Sequence, residues 1–209
     1  MRLYDYAASG NCYKVRLLLA LLDRPYERVP IDIFAGDTLT REFGALNPVR
    51  ETPVLELDGG ELLTQSNAIL WYLGEATPFI PDTPFERAQV VQWLSFEQER
   101  IMSGVGGTRF RTLTGREGAR ARFAVGEGAL AVLEEHLASR QFVVGAHCSI
   151  ADVSLFAYTH VAGDAGFDLD AHPAVRSWIG RIEAQPGFMN DLVPYPANAR
   201  PGAGRSIYD

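Results

Sequence analysis

Three short groups of polar residues in the first third of the chain have types and spacings that suit anion or thiol binding. The first, Ser9-Gly10-Asn11-Cys12, stands between a short apolar segment and an amphipathic run, at the expected N-terminus of a helix. The first turn of a helix has unpaired backbone N–H groups and a positive dipole end, and both favour an anion. The Ser9 hydroxyl there could stabilise a thiolate or an oxyanion. The alternative is that Ser9 or Asn11 only caps the helix.

The second and third groups are Thr52-Pro53 and Gln65-Ser66. A proline just before a strand can be cis and hold the backbone of Thr52 out for pairing, or it can be an ordinary edge-strand proline. Gln65-Ser66 marks the expected start of another helix, where small polar residues can bind a carboxylate. A plain N-cap is the alternative there.

The elements that would position these groups follow from the periodicity of apolar residues. Residues 2–6 and 26–32 are typical of short strands, and Pro30 places the second one at a sheet edge or ends it early. Between them, Cys12 to Asp23 has its apolar residues at the spacing of one helix face. Residues 38–46 predict a short helix that stops before Asn47-Pro48.

A hairpin and a third helix complete this part of the chain. Asp58-Gly59 between the apolar runs 54–57 and 61–63 predicts a β-hairpin. The helix that follows would present one apolar face at i, i+3, i+4 and i+7. That predicted face consists of Ile69, Tyr72, Leu73 and Ala76. The order of elements is therefore β-α-β-α-β-β-α.

The rest of the chain is predicted to be helical. Residues 77–84 contain three prolines and form a linker, and helices are expected over 86–113, 117–138, 149–163 and 173–185. Ser149 and Asp152 open the third of these helices as a capping box. The tail after Pro186-Gly187 is expected to wrap the surface or to be partly mobile. The predicted domains are thus residues 1–76 and 85–209.

Composition narrows the classes of function. The chain has 209 residues, 47% of them hydrophobic, and a net charge of −7. This indicates a globular protein, and an acidic chain without a basic run is a poor partner for nucleic acid or an anionic membrane. Two distant cysteines and four histidines without ligand spacing predict free thiols and no metal site. With no apolar leader, a cytoplasmic location is expected.

Taken in order, these motifs resemble the cytosolic glutathione S-transferase family, in its bacterial form with a serine in the active-site loop. The segments YDYAASGNCYKVRLLLALL, NPVRETPVLELDGGELLTQSNAILWYL and SIADVSL carry the resemblance, which covers nearly the whole chain. It implies an α/β N-terminal thioredoxin-like domain that binds glutathione and an all-α C-terminal domain with a pocket for the acceptor substrate. It also implies glutathione as a co-substrate, no covalently bound cofactor, and a homodimer.

The resemblance assigns roles residue by residue. Ser9 would donate a hydrogen bond to the glutathione sulfur. Thr52 would pair through its backbone with the cysteinyl part of glutathione, with Pro53 in cis. Gln65 and Ser66 would hold the γ-glutamyl carboxylate. Asp152, in the capping box, would act in folding and not in chemistry.

The sequence departs from the family at the active-site loop. Some members have a cysteine where this chain has Asn11, and Asn11 could donate through its amide to the glutathione sulfur instead. Cys12, one residue further on, could be acidic at the helix N-terminus or a buried, inert thiol. Three functions follow: a transferase acting on small hydrophobic electrophiles through Ser9, a glutathione-dependent disulfide or peroxide reductase using Asn11 with or without Cys12, or a non-catalytic interaction module.

The remaining candidate residues surround the expected ligands. Arg41 or Arg50 could supply the cation for the glycyl carboxylate, or each could be solvated surface, and Glu51 adds a negative charge nearby. The acceptor pocket is expected between the Ala7–Asn11 loop and the first long helix. Its candidate residues are Met102, Arg109 and Phe110, with the core as the alternative for Phe110. Three nearby glycines, Gly104, Gly106 and Gly107, indicate a bend or a close approach.

Overall fold

The N-terminal part of the computed structural model, which describes residues 1–208, is a four-stranded sheet with three helices. The strands are β1 (Arg2–Asp5), β2 (Glu27–Pro30), β3 (Val54–Glu56) and β4 (Leu62–Thr64), in the spatial order β2-β1-β3-β4. β1 pairs in parallel with β2 and antiparallel with β3, and β3 and β4 form the predicted hairpin. β2 lies at an edge, as predicted, because Pro30 has no N–H to donate.

The helices of this part are α1 (Gly10–Leu21), α2 (Arg41–Leu46) and α3 (Ser66–Gly74). α1 is buried on most sides, because it packs against α3 and also against the helical half of the chain. The predicted apolar face of α3 is wrong at Tyr72, which is 48% exposed, and at Ala76, which lies beyond the end of the helix. The buried face is formed by Ile69, Leu70 and Leu73 because α3 contacts both α1 and the helical half.

The rest of the chain is helical, as predicted. The first long helix is built from α4 (Pro84–Phe96), a π-helical segment (Glu97–Gly106) and α5 (Gly107–Thr114), which follow one another without a break. The other helices are α6 (Ala119–Leu137), α7 (Ile150–Thr159) and α8 (Pro173–Glu183). No helix among residues 1–208 is both long and apolar enough to cross a membrane.

Helix α7 is the centre of the helical half, since every residue from Ile150 to Thr159 is buried. Asp152 in its first turn accepts hydrogen bonds from the backbone N–H of Ser149 (2.9 Å) and of Val143 (2.9 Å). It also accepts from the Trp178 indole at 2.9 Å, which fixes α8 to α7. The predicted capping box is confirmed, and its carboxylate joins three parts of the core.

The C-terminal tail returns to the N-terminal part of the chain. The backbone N–H of Arg205 donates to the carbonyl of Phe34 at 2.8 Å, and Asn198 donates to Asp32 at 2.9 Å. Arg16 is buried and bonds both Asp5 in β1 and Asp191 in the tail. The tail therefore wraps over the loop after β2, which is the first of the two predicted alternatives.

Candidate functional site

A cavity of about 420 Å³ lies where the two halves of the chain meet, and it gathers most of the predicted site residues. From the N-terminal part, Ser9, Asn11, Thr52 and Gln65 line it. Its other walls come from the π-helical segment, α5, the α5–α6 connection, the start of α6, α7 and the tail. These walls contain Met102 and Phe110 of the predicted acceptor pocket together with Tyr158, Tyr195, Ile207, Tyr208 and three arginines.

Ser9 is the N-cap of α1 and is half-buried at the cavity wall. Its hydroxyl oxygen accepts from the backbone N–H of Cys12 at 3.3 Å. An accepting hydroxyl retains its own hydrogen for donation. Capping the helix and donating to a ligand atom are therefore compatible roles for Ser9, although sequence reasoning treats them as alternatives.

Asn11 connects the N-termini of two helices. Ser66, the first residue of α3, donates through its hydroxyl to Oδ1 of Asn11 at 3.3 Å. Because the carbonyl side of the Asn11 amide is engaged in this bond, its NH₂ group is available for another partner. Two positive dipole ends, those of α1 and α3, thus lie beside one cavity, which favours an anionic ligand there.

The backbone at the two other predicted groups has special geometry. The Thr52-Pro53 peptide bond is cis, as the resemblance implies. Gln65 has φ of 68°, in a region that residues with a side chain rarely adopt, and it turns the chain from β4 into α3. Residues with a side chain that are held in such a φ region cluster at binding sites, which agrees with the position of Gln65 at the cavity.

The two candidate cations for the glycyl carboxylate differ in position. Arg50 lines the cavity, and its guanidinium donates to the carbonyl oxygens of Thr38 (2.7 Å) and Thr40 (2.8 Å). These bonds fix a positive charge at the cavity wall. Arg41 is exposed and lies outside the cavity.

Cys12 is not a reactive thiol. Its side chain is fully buried, the backbone N–H of Tyr6 contacts its sulfur at 3.4 Å, and burial raises its pKa to about 12. At neutral pH the side chain is therefore a protonated thiol without access to solvent. Of the two predicted alternatives, the buried and inert thiol is the one found.

Arg109 is the predicted acceptor-pocket residue that the fold places elsewhere. Its guanidinium pairs with Asp164 at 2.9 Å and lies over the Tyr195 ring, outside the cavity. The reason is helical spacing, because Met102 and Phe110 share one face of the helix while position 109 points to the adjacent face. Arg111 lines the cavity instead.

Glycines allow the walls of the cavity to approach each other. A Cβ on Gly10 would lie 2.4 Å from the ring of Tyr158, and one on Gly106 would lie 2.7 Å from the same ring. Tyr158 is therefore held between the start of α1 and the end of the π-helical segment. The predicted close approach at Gly106 is confirmed.

The tail and the first long helix form an aromatic wall that sequence reasoning did not find. The Phe110 ring lies 5.6 Å from Tyr195, 5.4 Å from Tyr208 and 6.3 Å from Phe34, measured between ring centres. The Arg116 guanidinium lies over Phe110 at 5.0 Å. Because these residues are up to 174 positions apart in sequence (208 minus 34), no local pattern predicts their contact.

A buried ion pair lies under the site. Lys14 of α1 and Glu97 of the π-helical segment are both fully buried, with Nζ and Oε2 separated by 2.8 Å. Asn67 and Ser154 donate to the same carboxylate oxygen, so four segments meet there. Burial lowers the pKa of Lys14, and the Glu97 carboxylate opposes that change. Sequence reasoning did not single out this pair, because its two residues are far apart in sequence.

A separate cleft of about 710 Å³ runs along the connection between the two halves, lined by residues 75–87 and 144–149. It contains none of the predicted site residues. Within residues 1–208 there is also no group of three His, Cys, Asp or Glu side chains placed to hold a metal ion.

Comparisons with known proteins identify the family. The family model for the glutathione S-transferase N-terminal domain matches residues 8–76, and the model for the C-terminal domain matches residues 117–181. A maleylacetoacetate isomerase of Rhizobium meliloti is 36% identical over 95% of this chain and 97% of its own length. The disulfide-bond oxidoreductase YfcG of Escherichia coli is 28% identical over 90% of this chain and 93% of its own.

The fold agrees with these matches. The crystal structure of a glutathione S-transferase from Pseudomonas fluorescens superposes with a TM-score of 0.89 and 41% identity, covering 92% of this chain and 98% of that one. The predicted combination of a thioredoxin-like domain and a helical domain is thereby confirmed. Enzymes of this family use glutathione as a co-substrate. The chain belongs to the glutathione S-transferase family and is a glutathione-dependent enzyme.

Proposed function

We propose that this protein is a glutathione transferase that stabilises the glutathione thiolate through Ser9 and transfers it to small electrophiles. The observation that carries the proposal is the position of Ser9, whose hydroxyl caps α1 and keeps a hydrogen to donate into the cavity. The hydroxyl need not ionise, since its hydrogen bond strengthens as negative charge develops on the sulfur.

Glutathione would lie along the N-terminal side of the cavity. The backbone of Thr52, before the cis Pro53, would pair with the cysteinyl part, and Gln65 and Ser66 would receive the γ-glutamyl carboxylate at the start of α3. Arg50 is the candidate for the glycyl carboxylate because its guanidinium is fixed at the wall, whereas Arg41 lies outside.

The reaction then needs little further chemistry from the protein. The glutathione thiol releases its proton to water, and the thiolate forms a carbon–sulfur bond with the acceptor. The displaced group leaves with the bonding electrons, or an unsaturated acceptor takes up a proton in its place. Met102 and Phe110 offer an apolar surface for the body of the acceptor. Ser9 increases the fraction of bound glutathione that is ionised at neutral pH, because its hydrogen bond stabilises the thiolate relative to the thiol.

Substitution of Ser9 tests this proposal. Ser9→Ala should reduce kcat/KM for conjugation of a neutral nitroaryl acceptor by at least tenfold, while Asn11→Ala has the smaller effect. Unchanged turnover in Ser9→Ala would refute the assigned role of Ser9. Maleylacetoacetate belongs in the same assay series, since relatives that span this chain are named as its isomerases.

Reduction of disulfides or peroxides is the second candidate function. The observation that favours it is Asn11, which lines the cavity with its amide NH₂ available, together with the similarity to YfcG. Cys12 would take no part, because it is buried and protonated. Loss of glutathione-dependent disulfide reduction in Asn11→Ala, with Ser9→Ala unaffected, would favour this function over conjugation. We place the enzyme in the cytoplasm as a homodimer in either case.

A further inference from the structure

Three arginines line the wall of the cavity that belongs to the helical half. Arg111 stands in α5, Arg122 in α6, and Arg116 between these helices. All three are half-buried. The chain as a whole has a net charge of −7, so a local group of three cations does not reflect a generally basic surface.

Two of these arginines have no acidic partner in the described part of the chain. No carboxylate of residues 1–208 lies within 4.0 Å of the guanidinium of Arg111 or Arg122. Arg122 donates one hydrogen bond, from Nη1 to the carbonyl of Ser103 at 2.9 Å. The other N–H groups of its guanidinium can donate to a ligand. Arg116 is engaged differently, with its guanidinium over the rings of Phe34 and Phe110.

The side chain of Arg122 packs against Gly107, which has no side chain of its own. A Cβ on Gly107 would lie 2.8 Å from Cδ of Arg122, so in its present position the arginine stem lies against the first long helix at a residue that has no side chain. The guanidinium is thereby directed toward Ser103 and the cavity. Gly107, like Gly106, is one of the three glycines that the sequence indicated, and here the close approach is to a charged side chain.

The cations also repel one another. Partial burial lowers the pKa of Arg111, and the nearby charges of Arg122 and Arg116 lower it further. An anion bound between them would offset both effects, because guanidinium groups bind carboxylates and similar oxyanions through paired hydrogen bonds. Glutathione does not supply this anion in the proposed binding mode, since its carboxylates lie at α3 and at Arg50 on the other side of the cavity.

We propose that Arg111 and Arg122 form an anion subsite that selects acceptor electrophiles carrying a carboxylate or a comparable oxyanion beside an apolar body. Met102 and Phe110 would contact that body, and the arginines would contact the charged end. The inference rests on the proposed function, because it assumes glutathione in the N-terminal half of the cavity. It narrows the substrate class from small hydrophobic electrophiles to amphipathic anions.

Binding of two matched conjugates tests the subsite without relying on turnover. S-Benzylglutathione and S-(4-carboxybenzyl)glutathione carry both the glutathione part and an aromatic acceptor part, and they differ by one carboxylate. Isothermal titration of the unmodified protein should give about tenfold tighter binding of the carboxylated conjugate. Arg111→Gln and Arg122→Gln should each reduce that preference to about threefold or less, and Arg111→Lys should retain more of it than Arg111→Gln.

Arg120→Gln is the matched control, since Arg120 is an exposed residue of α6 outside the cavity and should keep the full preference. A preference that is absent in the unmodified protein, or that survives in both glutamine variants, would overturn the subsite. Equal weakening of both conjugates would also overturn it, because it would assign the arginines to the fold or to glutathione itself.

Failure of the proposed function gives a different result. If neither conjugate binds the unmodified protein, the glutathione site itself is wrong and the subsite falls with it. If Ser9→Ala conjugates normally but both conjugates bind with the expected preference, only the role of Ser9 is refuted. Circular dichroism spectra and thermal unfolding identify any variant that fails to fold. If the glutamine variants do not fold, the preference is compared between the unmodified protein and Arg111→Lys.

Discussion

Replacement of Ser9 by alanine should have two separable effects, because its hydroxyl has two contacts to make. As an acceptor it caps α1 through the backbone N–H of Cys12. As a donor it would bond the glutathione sulfur. The first effect is on the free energy of unfolding in the absence of ligand, and the second is on the pKa of the bound glutathione thiol.

The two magnitudes follow from typical values for each contact. Loss of a serine N-cap lowers the free energy of unfolding by about 1 kcal/mol, and the 3.3 Å length of this bond favours the lower part of the usual range. A hydrogen bond to a charged group contributes about 1.5–3 kcal/mol. Since one pKa unit corresponds to about 1.4 kcal/mol, Ser9→Ala should raise the pKa of the bound thiol by roughly 1–2 units.

The assay is a pH titration of thiolate absorbance with saturating glutathione, paired with urea unfolding of each variant. Thr83→Ala is the matched control. Thr83 caps α4 through the N–H of Glu86 at 3.2 Å and lies outside the cavity, so this variant should lose stability without changing the thiol pKa. Ser9→Thr should preserve most of both effects.

The combination of results shows whether Ser9 acts on the glutathione sulfur or only on the stability of α1. If Ser9→Ala loses stability but the pKa of its bound glutathione thiol is the same as in the unmodified protein, Ser9 is only a helix cap and attention moves to Asn11. A raised thiol pKa in both Ser9→Ala and Thr83→Ala would show that the two effects of Ser9 cannot be separated. Loss of a helix cap outside the cavity would then be enough to change the pKa of the bound thiol.

Three further predictions concern the core, the buried thiol and the assembly. Asp152→Asn should lower the free energy of unfolding in urea by about 3 kcal/mol, because an amide cannot accept all the N–H groups that the carboxylate accepts, and the thiol pKa of bound glutathione should not change. Cys12 in the folded protein should react with iodoacetamide at pH 8 at least a hundredfold more slowly than free cysteine, since its pKa is raised to about 12; a comparable rate would contradict its burial. Light scattering at micromolar concentration should give about twice the chain mass, and a single monomer peak would refute the homodimer.

Local sequence patterns were sufficient to predict most helices and strands and to locate the site residues of the N-terminal half. Helix starts at Gly10 and Ser66, the hairpin at Asp58-Gly59 and the capping box at Ser149 each depend on a few neighbouring residues. Such signals are physical properties of the local chain, namely unpaired N–H groups, turn conformations and apolar periodicity. They place Ser9, Asn11 and Gln65 at element ends before any tertiary contact is known.

The acceptor half of the site depends on contacts that no local pattern contains. Arg109 and Arg111 are two positions apart and equally basic, yet one pairs with Asp164 outside the cavity and the other lines it. Their difference is a rotation about the helix axis of roughly 200°, at about 100° per residue. The phase of that rotation is set by the π-helical segment before α5 and by packing against α6, both of which are tertiary features.

The position of the tail also depends on contacts between residues that are distant in sequence. Residues 195–208 have the composition of a mobile extension, but Tyr195 and Tyr208 contact Phe110 and complete one wall of the cavity. The tail is held by bonds to residues of the N-terminal half, including that from Arg205 to Phe34. The acceptor wall therefore requires both halves of the chain and the tail to be folded together, whereas the glutathione side is built from the N-terminal half alone. Changes in the tail or in α5 should accordingly alter the choice of acceptor while leaving glutathione binding intact.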